Sequence, residues 1–295
     1  MTMSVAVVIP VYNGAAFIRK ALDSVLAQTR PAEEIIVVDD GSSDGTAAII
    51  REYPVRLIEQ ANGGPSAARN HGVAETGAQW VAFLDADDFW EREKLQRHEE
   101  AVRSHPGAII SYTDFTVFQP GGHTVDRKAC QPEDLGGLVR FRCPFPPSVA
   151  VVRRDIFLES GGFDLSLRGP EDWELWFRIY RRWGAEGFVR IPAALTNYLV
   201  TPGSLGQNVG RQLEQYKALV ERRFLEGLDG MERWTCRRRL LAKIHRDASI
   251  VYREEGGGNP LKYMLRSLAY WPFYDGLQAD RHKIALHMAL KSVRG

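Results

Sequence analysis

The stretch EIIVVDDGSSDGT, residues 34–46, decides the fold, because an apolar run ends abruptly in paired acids and turn-forming residues. Residues 35–38 have the length and the flanking turn signals of a buried β-strand. Residues 5–10 form a second such run, and between the two runs apolar residues recur at helical spacing. The order strand, helix, strand predicts parallel strands joined by a crossover helix.

The alternation of strands and helices continues as far as residue 84. We predict a helix over 46–52, a strand over 55–59, a helix over 66–76 and a strand over 80–84. This order is typical of an α/β fold with a mostly parallel sheet flanked by helices, which binds ligands at the carboxyl ends of its strands. Three of these strand ends carry Pro10, Tyr12 and Asn13, then Asp39 and Asp40, then Asp85, Asp87 and Asp88. That edge of the sheet is the predicted ligand site.

The sequence pattern after residue 90 indicates two further segments of different structure. Strand and helix patterns alternate less regularly up to about residue 205, and from about residue 207 the patterns are long and helical, separated by Gly and Pro. We therefore predict a domain over 1–205, with one half at about 1–105 and another at about 106–205. A helical C-terminal subdomain is predicted over 206–295.

Composition narrows the class of protein. The 295 residues are 44% hydrophobic and 25% charged, as in globular proteins, and no run approaches the roughly 18 apolar residues that suggest a membrane span. The three cysteines are widely spaced and no export signal opens the chain. We expect a cytoplasmic protein without a disulfide framework or a zinc site.

Charge is distributed unevenly along the chain. Before residue 205 there are 21 Lys and Arg against 27 Asp and Glu, and from there on 17 against 10. The acidic front argues against a nucleic-acid surface, whereas the basic tail suits peripheral contact with the inner face of a membrane. A solvated helical face and packing within the protein are the alternatives for the tail.

The acidic cluster at residues 85–88 follows a strand directly, at a turn where carboxylates leave the sheet. Such oxygen ligands suit Mg²⁺ or Mn²⁺, which are usually held by one or two carboxylates together with nucleotide phosphates. For an isolated cluster, an acidic turn that caps a helix is the alternative.

The pair Asp39 and Asp40 can accept hydrogen bonds from a nucleobase N–H and from ribose hydroxyls, and Tyr12 offers an aromatic face at the neighbouring strand end. The alternative is an Asx turn, which we favour for Asp44. Residues 62–70, NGGPSAARN, resemble an anion cradle at a helix start, but they match neither a Walker loop nor a dinucleotide fingerprint. Arg69 in this stretch either contacts the nucleotide or forms a surface ion pair.

Glu171 and Asp172 open an amphipathic, aromatic helical pattern. A carboxylate at this position is suited to remove the proton of an attacking hydroxyl. The alternative is an acid favoured at a helix N-terminus by the helix dipole. Trp173 either packs in the core or stacks on a sugar.

Five blocks in this order resemble the family 2 glycosyltransferases, which have the GT-A fold: VVIPVYN, EIIVVDDGSSDGT, NGGPSAARNHG, WVAFLDADDFW, and GGFD with GPEDWELWFR. They cover residues 5–178. The resemblance implies an inverting, metal-dependent enzyme that uses a nucleotide-diphosphate sugar, with a UDP-sugar favoured. The implied acceptor is a saccharide or a lipid-linked saccharide, in polysaccharide or glycoconjugate biosynthesis.

The resemblance also implies a role for each site residue. Asp172 is the base, Asp87 binds Mn²⁺ or Mg²⁺, and Glu171 and Trp173 shape the acceptor site. The implied donor contacts are Pro10, Tyr12, Asn13, Asp39, Asp40, Arg69, Asp85 and Asp88.

Two alternatives remain open at this point. A non-catalytic nucleotide-sugar-binding protein needs the pocket but not the base. A nucleotidyltransferase also joins an acidic metal site to an α/β sheet, but its usual Gly-rich basic loop after the first strand is replaced here by VYN at 11–13. Many family members also carry an Arg-x-His element after a tyrosine, and residues 198–204, YLVTPGS, lack it.

Overall fold

The computed structural model describes residues 3–200, 209–255, 259–272 and 284–285. The chain divides into two compact units, Met1–Leu167 with Glu171–Thr201 and Arg168–Pro170 with Pro202–Gly295. The boundary predicted at residue 205 lies outside the described residues.

The first unit is built on one sheet, which holds nine strands in the part of the chain described. The strands are β1 Val5–Val11, β2 Glu34–Asp39, β3 Arg56–Glu59, β4 Trp80–Phe83, β5 Phe89–Trp90, β6 Ile110–Phe118, β7 Thr124–Arg127, β8 Ala150–Arg153 and β9 Phe188–Leu199. The helices are α1 Ile18–Leu26, α2 Thr46–Ile50, α3 Pro65–Ala74, α4 Lys94–Ser104, α5 Leu135–Leu138, α6 Arg154–Glu159 and α7 Glu171–Trp183. Short 3₁₀ turns lie at Pro132–Asp134 and Pro147–Val149.

The sheet has the strand order β3-β2-β1-β4-β8-β6-β9-β5, with β7 beside β6. Strands β3, β2, β1 and β4 are parallel, as predicted for the first half of the chain. Beyond β4 the sheet is mixed, because β8 runs antiparallel to both β4 and β6 whereas β6 and β9 are parallel. Strand β9 was not predicted, since its polar and apolar residues do not form a compact apolar run.

The parallel half is covered on both faces, which explains its apolar strands. All seven residues of β1 are buried. Ile18 and Leu22 of α1 pack in the same core cluster as Val7 and Ile9 of β1. On the other face α3 approaches β1 so closely that a Cβ at Gly72 would lie 2.5 Å from Val8 Cγ1. This close packing places the start of α3 beside the strand ends.

The second unit is helical in the residues described. It contains α8 Val209–Leu219, a π-helical turn Val220–Phe224, α9 Gly230–Glu255 and α10 Pro260–Tyr270. The buried residues of α9 include Leu240 and Ile244, and His245 stacks on Tyr270 of α10 with ring centroids 5.3 Å apart. Among the described residues, no helix combines the length and the apolar character that crossing a membrane requires.

Candidate active site

The loops after β1 and β2 form one connected surface at the predicted edge. Asn13 has a φ of 51°, in the left-handed region that asparagine tolerates better than most residues. Its backbone N–H donates to Ser42 Oγ at 2.8 Å, and its side-chain oxygen accepts the Ser43 N–H at 2.8 Å. Tyr12 precedes it with 56% of its surface exposed, which leaves its ring open to a stacking partner. Pro10 is buried within β1.

The two aspartates after β2 are both buried, but they make different contacts. Asp40 accepts the backbone N–H groups of Gly63 at 2.8 Å and Gly64 at 2.7 Å, together with the side-chain amide of Gln60 at 2.7 Å. Its carboxylate therefore fills the anion cradle at the start of α3. Asp39 accepts only the Ser42 N–H among these loop donors, at 2.9 Å. Of the pair, Asp39 is the better placed to contact a ligand.

Asp44 behaves as the sequence predicts for an Asx turn. Its Oδ1 accepts the backbone N–H of Thr46, at 3.1 Å, where α2 begins. Its Oδ2 accepts the Ala15 N–H at 3.0 Å. Asp44 therefore has a structural role, because it links the loop after β1 to the start of α2.

The acidic turn after β4 presents its carboxylates in two directions. The Asp85 side chain is 24% exposed and Asp87 is partly exposed, whereas Asp88 is 1% exposed. Asp88 Oδ1 accepts the backbone N–H of Leu199, at 2.9 Å, from the end of β9. Burial, followed by the charges of Asp85 and Asp87, raises the pKa of Asp88 well above its usual value. Asp85 and Asp87 are thus the more exposed carboxylates of the turn, and Asp88 is buried against the end of β9.

Arg69 joins the acidic turn to the start of α7. Its guanidinium is 2.5 Å from Asp85 Oδ1 and 3.5 Å from Glu171 Oε1, and the residue is 5% exposed. Burial alone lowers the pKa of Arg69, but the negative charges of Asp85 and Glu171 outweigh it and raise the pKa. The surface ion pair considered for this residue is therefore a buried bridge between two candidate site segments.

Asp172 lies in the first turn of α7, next to Glu171. Its Oδ1 accepts the Trp173 N–H at 2.6 Å, and its Oδ2 accepts the Cys143 thiol at 3.4 Å. Burial and then the charge of Glu171 raise the pKa of Asp172 to about 7. A carboxylate with this pKa is ionised in part at neutral pH and accepts a proton readily.

Trp173 follows Asp172 in α7 and packs in the interior. It is 3% exposed, and its indole N–H donates to the Val139 carbonyl. Trp176 is fully buried and donates to the Phe145 carbonyl at 3.0 Å. Of the two roles considered for Trp173, the structure gives it packing contacts.

Sequence reasoning missed two contacts of this site. Cys143 gave no signal, because the residues around it form no motif, yet its thiol donates to the Asp172 carboxylate. Asn70 lies in the stretch NGGPSAARN at residues 62–70, where its residue type alone does not indicate a partner. Its side chain donates to the Phe163 carbonyl and accepts the Phe163 N–H, each at 2.9 Å. This clamp fixes the GGFD block on α3, beside Arg69.

Gly162 of that block has a structural requirement of its own. Its φ is +68°, and a Cβ there would lie 2.6 Å from Asn70 Oδ1. The Gly162 carbonyl accepts Arg178 Nη2 at 2.8 Å. The block is thus tied to both α3 and α7. Of the residues 198–204 that replace the Arg-x-His element, 201–204 lie outside the described residues.

The outward carboxylates fit a hard divalent cation. Among the described residues, no group of three or more His, Cys, Asp or Glu side chains is arranged to hold a metal ion. Mg²⁺ and Mn²⁺ at phosphate sites need only one or two carboxylates, because phosphate oxygens and water complete the shell. The partly exposed Asp85 and Asp87 would supply that number of oxygen ligands.

Comparison of the sequence with known proteins gives matches over the same region. The model of the family described as Glycosyl transferase family 2 matches residues 6–163, more than half of the chain. An uncharacterized glycosyltransferase of Nostoc sp. is 33% identical over 189 residues, which are 59% of this chain and 56% of that protein. TuaG of Bacillus subtilis, a putative teichuronic acid biosynthesis glycosyltransferase, is 35% identical over 138 residues, 44% of this chain and 54% of its own length. The chain thus matches little more than half the length of these relatives.

Comparison with solved structures gives matches over most of the chain. TarS of S. aureus in complex with UDP-GlcNAc aligns with a TM-score of 0.67 at 18% identity, over 91% of this chain and 80% of that one. The mannosyltransferase PcManGT of Pyrobaculum calidifontis, in complex with GDP-Man and Mn²⁺, aligns with a TM-score of 0.58 at 19% identity, over 99% and 88% of the two chains. At these identities the likeness concerns the fold alone, and it confirms the predicted GT-A fold.

Proposed function

The chain belongs to glycosyl transferase family 2, and we propose that it is an inverting glycosyltransferase that moves a sugar from a nucleotide-diphosphate sugar to an acceptor hydroxyl. One observation carries the proposal: the buried Arg69 lies between Asp85 of the acidic turn and Glu171 beside the candidate base. A donor diphosphate at the turn and an acceptor hydroxyl at Asp172 would then lie side by side.

The donor would bind along the parallel strand ends. The exposed ring of Tyr12 is suited to stack on the nucleobase, and Asp39 is suited to accept hydrogen bonds from the base or the ribose. The solved complexes of TarS with UDP-GlcNAc and of PcManGT with GDP-Man support a nucleotide sugar as the donor class. We favour a UDP-sugar.

Asp87, together with Asp85, would hold Mn²⁺ or Mg²⁺, as the chemistry of the turn allows. When bound, such an ion supplies positive charge that stabilises the departing nucleotide diphosphate. Asp88 would act from within the protein, by holding the turn against the end of β9. Arg69 would balance the charge of Asp85 and keep the turn aligned with α7.

Asp172 would act as general base in a single displacement. It accepts the proton of the acceptor hydroxyl while the acceptor oxygen bonds to the anomeric carbon. The bond from that carbon to the phosphate oxygen breaks, and the nucleotide diphosphate leaves with the electron pair. Attack opposite the leaving group inverts the anomeric configuration. A pKa of about 7 suits this role, because the group is ionised near neutral pH and yet basic enough to take a proton.

The acceptor is proposed to be a saccharide or lipid-linked saccharide, in polysaccharide or glycoconjugate biosynthesis, a setting that the name of the relative TuaG supports. Peripheral contact with a membrane is part of the same proposal. In the helical unit Met231 is 76% exposed and Trp234 is 52% exposed, and the Arg238 guanidinium lies 5.0 Å from the Trp234 ring centre. Sedimentation with anionic liposomes at low salt tests this contact, and protein that stays in the supernatant would contradict it.

Calorimetric titration with UDP and with GDP tests the donor site, first with MnCl₂ and then with EDTA. We expect one nucleotide to bind only with Mn²⁺, and Asp87→Ala to weaken that binding about 100-fold, since it removes a metal ligand. Asp23→Ala, which removes an exposed carboxylate of α1, is the matched control and should bind like the wild type. Equal binding by the wild type and Asp87→Ala would overturn the metal assignment.

A further inference from the structure

Ser148 holds the start of the acidic turn. It lies in the 3₁₀ turn Pro147–Val149 and is fully buried. Its Oγ accepts the backbone N–H of Asp85, at 3.0 Å, where the turn begins. Ser148 therefore fixes the backbone at the start of the segment that carries Asp87.

Three other side chains hold the backbone around Ser148. The Trp90 indole N–H donates to the Ser148 carbonyl at 2.9 Å, and Thr196 Oγ1 of β9 donates to the same carbonyl at 3.3 Å. Lys94 Nζ, which is fully buried, donates to the neighbouring Val149 carbonyl at 3.1 Å. Residues from β5, α4 and β9 thus fix the position from which Ser148 holds the turn.

We propose that Ser148 is a positioning residue that sets the spacing of the Asp85 and Asp87 carboxylates for a metal–nucleotide diphosphate. The inference rests on the proposed function, because it assigns Ser148 to the donor site suggested there. An oxygen acceptor is required at this position, because the buried Ser148 Oγ accepts the Asp85 N–H. Alanine at this position leaves that N–H without its partner.

Ser148→Ala tests the inference, with Ser111→Ala as the matched control. Ser111 is also a fully buried serine of the same sheet unit, but its Oγ lies 2.6 Å from His98 Nδ1. Both variants should lower the melting temperature. Only Ser148→Ala should raise the calorimetric Kd for UDP or GDP with Mn²⁺, by roughly tenfold, the effect expected for one buried hydrogen bond.

Hydrogen exchange provides a readout that needs no ligand. In Ser148→Ala the Asp85 amide loses its acceptor, so its exchange in the nucleotide-free protein should accelerate, while in Ser111→Ala it should stay as in the wild type. If Ser148→Ala does not fold, Thr196→Val replaces it, because it removes one support of the Ser148 carbonyl and should show both effects more weakly.

Two results are decisive. Wild-type Kd and wild-type Asp85 exchange in Ser148→Ala would overturn the positioning role and leave the proposed function standing. A wild-type protein that binds neither nucleotide with Mn²⁺ would overturn the proposed function and this inference with it.

Discussion

Asp40 and Asp172 are both aspartates beside a helix N-terminus, yet they have opposite environments. Asp40 receives three hydrogen bonds from Gln60, Gly63 and Gly64 at the start of α3. Asp172 receives one backbone N–H and one weakly donating thiol, and Glu171 adds a negative charge next to it.

The difference shows that the donors and charges around a buried carboxylate decide its role. Several N–H donors around a carboxylate satisfy its oxygens and hold it in place. Few donors and a like charge leave the charged form costly, so the group takes up a proton easily. Asp40 is therefore suited to stability and Asp172 to proton transfer.

The largest expected effect concerns the transfer rate and tests the role proposed for Asp172. Asp172→Asn removes the proton acceptor and keeps the shape, so the transfer rate should fall about 1,000-fold, within the range of general base catalysis. Nucleotide binding with Mn²⁺ should change less than about twofold, because the donor contacts lie elsewhere. Single-turnover transfer assays and calorimetry measure the two quantities.

Glu171→Gln is the control for that variant, since it alters the neighbouring carboxylate and leaves the proposed base. It should reduce transfer less than Asp172→Asn does. If Asp172→Asn kept more than a tenth of the wild-type rate, Asp172 would not be the base. Loss of transfer with intact nucleotide binding would also separate an enzyme from a protein that only binds the donor.

The next largest effect concerns the free energy of unfolding and tests the structural role of Asp40. Asp40→Asn places an amide among N–H donors, so the free energy of unfolding should fall by about 3 kcal/mol, because one acceptor oxygen is replaced by a donor NH₂ group facing other donors. Asp39→Asn loses one such bond and should cost about 1 kcal/mol. Urea unfolding measures both. An Asp40→Asn protein with wild-type stability and no nucleotide binding would make Asp40 a donor contact instead.

The pH dependence of transfer gives a smaller effect. The pKa of Asp172 is raised to about 7, so the active, ionised form is lost as the pH falls through that value. The rate constant for transfer should therefore drop about tenfold per pH unit below pH 7 and level off above it. Rates measured from pH 5.5 to 8.5 check this, and a profile flat down to pH 5.5 would contradict it.

The smallest expected effect is a shift in the midpoint of this pH profile. The Cys143 thiol donates to Asp172 and lowers its pKa against the larger effect of burial. Cys143→Ala should shift the midpoint of the profile to higher pH, and Cys143→Ser, which keeps a donor, should not. A midpoint that stays unchanged in both variants would show that the thiol does not act on the base.

The sequence predicted the elements of the parallel half well. Strands β1, β2 and β4 consist mainly of apolar residues in compact runs between turn residues, so period and length identify them without help from the rest of the chain. Strand β9 was missed, because Arg190, Pro192 and Asn197 interrupt its apolar residues. It is a strand because β6 and β5 pair with it, a condition that local sequence does not express.

In the candidate site, too, some features are predicted by local sequence and others depend on distant residues. The residue types at 39–40, 85–88 and 171–172 were enough to identify candidate ligands and a candidate base. Their roles within each cluster depend on which donors lie nearby, and these come from distant parts of the chain. Leu199 holds Asp88, and Cys143 contacts Asp172.

The sequence by itself determined the order of strands and helices, the polar strand ends and the resemblance to a family, since all three are properties of neighbouring residues. Only the tertiary structure decided that Asp40 points into the protein, that Arg69 joins two site segments and that Ser148 holds the backbone N–H of Asp85. The physical reason is that the protonation and contacts of a buried polar group depend on the donors and charges within a few ångströms, whatever their separation along the chain.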